Sequence, residues 1–329
     1  MKKILFITLG GTISARGKNR LDLKDYRSGL IDGTFFLKDL PEINQLADVK
    51  VLDIDNISST DINSSHWLVL KKKIEYFLNE KNFDGVVISH GTNTLEETAY
   101  FLHLTVNSNK PVVLVGAQRP YSALSSDAQL NLFNAFLVAV HPDSYGKGVL
   151  IVFNQKIHSA REVTKADTYD VGGFTSGMTG CLGMVDAAHQ VIYYRTPIRQ
   201  HTKQSEFAQI EIKDLPKVEI IYSYAGADGN LIDYIVASKK YKGIVIAGTG
   251  AGRFSSKEKR ALKNAIEKGL FVVRSNRTGN GRVLDIEPFQ DLNLISGDNL
   301  NPQKCRILLS LSLLKYNEVT LVQEVFDRY

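Results

Sequence analysis

Short apolar runs recur along this chain with amphipathic stretches between them, and that alternation restricts the fold more than any other feature. KILFIT, KVLDI, GVVISH, PVVLVGA and GVLIVF have the length and near-continuous hydrophobicity of strands buried on both faces. SSHWLVLKKKIEYFLNE and TLEETAYFLHLTV carry helical patterns. Strands alternating with helices predict a mostly parallel sheet covered by helices, because parallel neighbours need long crossovers.

The alternation breaks around residues 194 to 216, a polar stretch with prolines near both ends, and then resumes with VEIIYSY, NLIDYIVASKKY, KGIVIAGTG, SSKEKRALKNAIEKG and LFVVRSN. NPQKCRILLSLSLLKY reads as a helix capped by Asn301 with Pro302 at its first position, and EVTLVQEVFDRY follows as a second helix. We therefore expect two α/β domains, 1–195 and 214–329, joined by a linker over 196–213. A chain of 329 residues accommodates both. MKKILFITLGGT reads as a first strand entering a glycine turn, since its apolar run is short and GGTIS offers no cleavage site.

Composition excludes several classes. The net charge is +5, but no basic stripe interleaves with aromatics, so no nucleic-acid partner is expected, and Lys71–Lys73 reads as a solvated helix face. No apolar run reaches the ~20 residues of a membrane span, and the chain reads as cytoplasmic. The two cysteines, Cys181 and Cys305, are too few and too far apart for a disulfide framework or a zinc site, and both read as buried thiols.

Parallel sheets bind ligands beyond the carboxyl ends of their strands. That rule selects LGGTIS, ISSTD, SHGTNT, GAQRP and GTGAG. In LGGTIS two glycines allow a tight turn that presents Thr12, either as a turn residue or as an acyl-transfer nucleophile. In SHGTNTLEET, Thr92 and Asn93 stand at a helix start, where free N–H groups favour a carboxylate or an oxyanion. Thr94 with Glu97 fits a capping box, and His90, with no second histidine at ligand spacing, reads as structural. Lys165 lies in a polar loop, where it is either a solvated lysine or a base with a lowered pKa. GTGAGRF lacks the last glycine of a dinucleotide fingerprint, and no GxxxxGK[ST] loop is present. The candidate site is therefore expected to use no cofactor and no metal, a set suited to acyl transfer from an amide or ester.

LGGTIS, SHGTNTLEETAYFL, GAQRP, EVTKADTYDV, IYSYAGAD and LNPQKCRILL occur in order along the whole chain. With these motifs the sequence resembles the bacterial-type L-asparaginase and glutaminase-asparaginase family. The resemblance implies a larger, flavodoxin-like N-terminal domain and a smaller C-terminal one. It also implies a homotetramer, a dimer of tight dimers, with each site shared between subunits. It implies that Thr12 is the nucleophile, that Tyr26 closes over it on a mobile loop, and that Thr92 and Lys165 form a second catalytic pair. Glycines 17, 29 and 33 would make that loop a lid. Ser59 would hold the substrate α-carboxylate, and Gln118 flanks the pocket without an assigned role. The acidic residue from the partner subunit would be Asp285, with Glu287 the alternative.

Three positions depart from the family pattern. Asn93 stands where an aspartate usually receives the substrate ammonium, Thr60 where a glutamine often contacts substrate, and Ala251 where an asparagine is common. Three readings follow. The first is hydrolysis of L-asparagine with the amine held by other groups. The second is hydrolysis of a related amide whose α-amino group is absent or modified. The third is a catalytically weak amino-acid-binding protein.

Overall fold

The computed structural model describes residues 1–27 and 29–329 and divides into two compact units, Met1–Glu211 and Ile212–Tyr329. The first contains strands β1 (Lys2–Gly10), β2 (Ala47–Ile57), β3 (Gly85–Ser89), β4 (Val112–Val115), β5 (Val149–Phe153), β6 (Lys156–Ser159), β7 (Thr164–Lys165), β8 (Phe174–Thr175), β9 (Gly183–Val185) and β10 (Val191–Tyr193). Its helices are α1 (Gly33–Asp39), α2 (Ile43–Leu46), α3 (Ser64–Glu75), α4 (Leu95–Thr105) and α5 (Ala128–Val140).

Eight strands form one sheet in the order β10-β9-β6-β5-β4-β3-β1-β2. The five strands from β2 to β5 are parallel, and β6, β9 and β10 extend the sheet antiparallel. The order β2-β1-β3-β4-β5 is the flavodoxin-like doubly wound arrangement, whose switch point lies between β1 and β3. β3, β4 and β5 are buried throughout, as both-face coverage requires. Phe6 of β1 meets Phe36 of α1 and Phe136 of α5 edge-on, with ring centroids 5.9 and 5.5 Å apart.

The second unit holds a four-stranded parallel sheet, β11 (Val218–Tyr222), β12 (Gly243–Gly248), β13 (Phe271–Asn276) and β14 (Ile295–Ser296), in that order. Its helices are α6 (Asn230–Ser238), α7 (Ser256–Glu267), α8 (Pro302–Ser312) and α9 (Val319–Arg328). Asn301 caps α8 by accepting from the Lys304 amide at 3.0 Å, with Pro302 inside the first turn. Ser255 and Glu258 form a reciprocal capping box on α7.

Several expectations need correction. The polar stretch expected as a linker contains a short 3-10 turn, Thr202–Gln204, and His201, Thr202, Ser205, Phe207 and Ala208 are buried in the first unit. Its few apolar residues are enough to anchor it. Cys305 is buried, but Cys181 is only half-buried, because it follows an exposed turn at the start of β9. Lys165 lies not in an irregular loop but in the β7–β8 ribbon, opposite Phe174. Gly33 is no free hinge: it opens α1, donates to Asp53 at 3.0 Å, and a Cβ there would lie 2.4 Å from Val51. Among the described residues, no helix is long and apolar enough to cross a membrane.

Candidate active site

Four neighbouring strands of the first unit end in the candidate residues. The sheet order β4-β3-β1-β2 sets the turns carrying Gln118, Thr92, Thr12 and Ser59 side by side. Two of these turns touch through their backbones: a Cβ on Gly11 would lie 2.2 Å from the Gly91 Cα. Gly11 also has φ +85°, which an L side chain rarely adopts. The glycines therefore bring the Thr12 and Thr92 turns together at the switch point between β1 and β3.

Thr12 opens a short 3-10 turn, Thr12–Ser14, and its Oγ1 shares a hydrogen bond with the Tyr26 hydroxyl at 3.0 Å. The segment bearing Tyr26 is tied back by an antiparallel bridge between Arg16 and Arg27 and by the Leu124 amide donating to Arg20 O at 2.8 Å. Thr92 is buried and accepts from Lys165 Nζ at 2.8 Å. Burial lowers the Lys165 pKa, and the nearby Asp167 opposes that shift. Lys165 also donates its backbone amide to the buried Glu96 at 2.7 Å, which locks the ribbon onto α4. Glu96 was not among the residues singled out from sequence, because its role depends on a contact 69 positions away.

Ser59 is buried and accepts from the Asn93 amide at 3.2 Å. Its carbonyl accepts from the Thr94 hydroxyl at 2.6 Å. Thr94 is the N-cap residue of α4 but makes no side-chain capping bond, so the expected capping box does not form. Its hydroxyl instead ties the Thr92 turn to the Ser59 turn. Asn93 and Thr60 are both exposed, and Thr60 shares a hydrogen bond with Ser58 at 2.8 Å.

Gln118 is buried, and its Oε1 lies 3.4 Å from the Thr92 hydroxyl, which donates to it. Asp127 fixes this turn by accepting from the Gln118 and Arg119 amides, each at 2.9 Å. Gln118 also lines a cavity of about 810 Å³ with Asn19, Leu21, Asp22, Leu23, Lys24, Arg119, Tyr169 and Asp170. Segment 19–24 and the β7–β8 connection thus meet at one cavity, which of the candidate residues only Gln118 lines; Thr12, Thr92, Lys165 and Ser59 do not line it.

His90 is fully buried beneath this turn. Its Nδ1 lies 2.7 Å from Gly91 O, which can only accept, so Nδ1 carries the proton. Nε2 then accepts from the Thr98 hydroxyl at 2.9 Å, and that oxygen in turn accepts from Trp67 Nε1 at 2.9 Å. Burial pulls its pKa down to about 4, and the ring is a neutral structural pillar.

Asp285 and Ala251 belong to the second unit, and both are exposed. Glu287 opens a short 3-10 turn, Glu287–Phe289. Among the described residues, no group of three or more His, Cys, Asp and Glu could hold a metal.

The comparisons with known proteins cover the whole chain. Residues 3–199 match the family described as "Asparaginase, N-terminal", and residues 217–326 match "Glutaminase/Asparaginase C-terminal domain". The chain is 40% identical to L-asparaginase 2 of Bacillus subtilis, over all of this chain and 87% of the relative. It is 36% identical to a glutaminase-asparaginase of Pseudomonas fluorescens, over all of this chain and 91% of that one. A crystal structure of a probable cytoplasmic L-asparaginase from Campylobacter jejuni superposes with a TM-score of 0.96 at 40% identity, covering both chains completely.

Proposed function

Because the chain belongs to the L-asparaginase and glutaminase-asparaginase family of amidohydrolases, we propose that it hydrolyses L-asparagine to L-aspartate and ammonia through Thr12. The observation that carries this reading is the pairing of two threonines on touching turns, one bonded to Tyr26 and the other to Lys165. Thr12 Oγ1 attacks the amide carbon while Tyr26 holds its hydroxyl. Backbone N–H groups of the turns stabilise the oxyanion. The proton given up by Thr12 is carried to the nitrogen, which leaves as ammonia, and water then releases the acid from the Thr12 ester and restores the hydroxyl. Lys165, with its pKa lowered by burial, works through Thr92 as the base. Ser59 and the start of α4 hold the α-carboxylate.

The working assembly in this reading is a homotetramer, a dimer of tight dimers, in which Asp285 of the partner subunit meets the substrate amine. We place it in the cytoplasm, the compartment that the name of the Campylobacter protein gives as probable for that relative. The enzyme needs no cofactor.

Asn93, Thr60 and Ala251 favour a second reading, an amidase for a substrate whose α-amino group is absent or modified. An amide in place of a carboxylate removes a charge-assisted hydrogen bond, roughly twice as strong as a neutral one. Ammonia release from L-asparagine, L-glutamine and succinamate separates the readings. Preference for asparagine supports the first, and preference for succinamate the second. Tight asparagine binding without any ammonia would instead identify a binding protein.

A further inference from the structure

Arg274 is the least expected residue of the second unit. It lies on β13, an internal strand, opposite Ile246 on β12 and Ser296 on β14. It is 2% exposed, and its Nε and Nη1 have no hydrogen-bond partner among the described residues. A buried guanidinium left partly unpaired is costly, and an apolar side chain at this position would stabilise the sheet better. Its existing contacts all lead to one segment. Nη2 donates to the carbonyl of Leu284, and the guanidinium carbon lies 5.2 Å from the centroid of the Phe289 ring. Asp285 lies between these two anchors.

The same segment is gripped at both ends. Arg282 pairs with Asp298, Val283 bridges to Asp298, and Ser296 donates to the Val283 carbonyl. Downstream, Lys259 donates to Pro288 O at 2.7 Å, and Phe289 stacks on Phe254 with centroids 4.2 Å apart. Asp285 and Glu287 stand exposed between these fixed points. Burial lowers the Arg274 pKa most, Asp285 favours its charged form, and Arg253 disfavours it.

We infer that Arg274 is a positioning residue for substrate binding: by holding the Leu284 carbonyl and the Phe289 ring, its guanidinium fixes the backbone from which Asp285 is presented to the neighbouring subunit. This rests on the reading of Asp285 as the amine acceptor. Lysine cannot replace arginine here, because a point charge on a flexible stem lacks the rigid planar group that spans Leu284 and Phe289.

The test compares the assembled full-length wild type with Arg274→Lys, Arg274→Gln, Asp285→Asn and the Arg274→Lys/Asp285→Asn double variant. KM and kcat are measured for L-asparagine and for succinamate, which lacks the ammonium, and each variant is melted. Arg274→Lys should raise KM for asparagine about tenfold, the equivalent of one charge-assisted bond. It should leave kcat within about twofold and succinamate kinetics unchanged. In the Asp285→Asn background it should add nothing further. A KM rise of equal size for both substrates, additive effects in the double variant, or a lowered Tm with unchanged KM would overturn the inference. An Asp285→Asn variant with wild-type KM for asparagine would remove the reading beneath it. A sensitive Asp285→Asn beside a silent Arg274→Lys would remove the inference alone. Should Arg274→Gln fail to fold, Arg274→Lys carries the comparison.

Discussion

The turn after β1 and the turn after β12 look alike as strings, LGGT and GTGAG, and do different work. In the first unit the glycines of two turns let separate backbones touch, which places two threonines side by side. In the second unit the turn closes on itself: Thr249 bridges to Arg253, and a Cβ on Gly248 would lie 2.4 Å from the Gly252 carbonyl carbon. What it presents is Ala251, exposed and without a polar group. A glycine-rich turn after a parallel strand marks a place for a site. The chemistry comes from what a second segment brings to it.

The comparison breaks most directly at Thr12. Thr12→Ala should cut kcat by about 10³-fold or more while the melting temperature stays within about 2 °C, because in the proposed reading the side chain is a reacting group and not a packing one. Retained turnover would move the chemistry elsewhere. The next test sets glycine against glycine. Gly11→Ala places a Cβ against Gly91 at positive φ and should cost about 3 kcal/mol in urea unfolding. Gly250→Ala, also at positive φ but with open space around it, should cost about 1 kcal/mol. Equal costs would mean that the contact between the first unit's turns does not distinguish them.

A pH series probes the pillar beneath the Thr92 turn. The folded-state pKa of His90 is depressed to about 4 from 6.5, so the unfolded chain binds the extra proton first. Stability contributed by the neutral ring is full above about pH 6.5 and is lost as pH falls toward 4, on the order of 3 kcal/mol. A flat acid limb in the denaturation midpoints would contradict this. Smaller still is the effect of restoring charge. Asn93→Asp should raise kcat/KM for asparagine about tenfold and leave succinamate unimproved. No change would mean that other groups already hold the amine. Ala251→Asn, which gives the second unit's turn the side chain it lacks, should add only a few-fold at most, since a neutral hydrogen bond contributes about 1 kcal/mol.

Much of this architecture was legible because burial on both faces writes itself as uninterrupted apolar runs. GVVISH, PVVLVGA and GVLIVF became β3, β4 and β5, and the SSKEKRALKNAIEKG pattern became α7 with its cap. The features that escaped depend on distant contacts. Helix α5, AQLNLFNAFLVAV, is buried over so much of its surface that it shows little contrast between faces. The antiparallel extension is made of strands three or four residues long. At the site, the turn residues could be picked out by their positions after strands. The ties between them could not: Thr94 reaching Ser59 O, Glu96 holding the Lys165 amide and Asp127 holding Gln118 join segments that only the fold brings together.

The placement of β1 inside the sheet has a consequence for synthesis. Its neighbours are β2 and β3, and the lysine that serves the second threonine lies on a ribbon reached much later. By its place in the chain Thr12 leaves the ribosome about 150 residues before Lys165, roughly 8 to 30 seconds at typical elongation rates. During that interval Thr12, the proposed nucleophile, has no Lys165–Thr92 pair beside it.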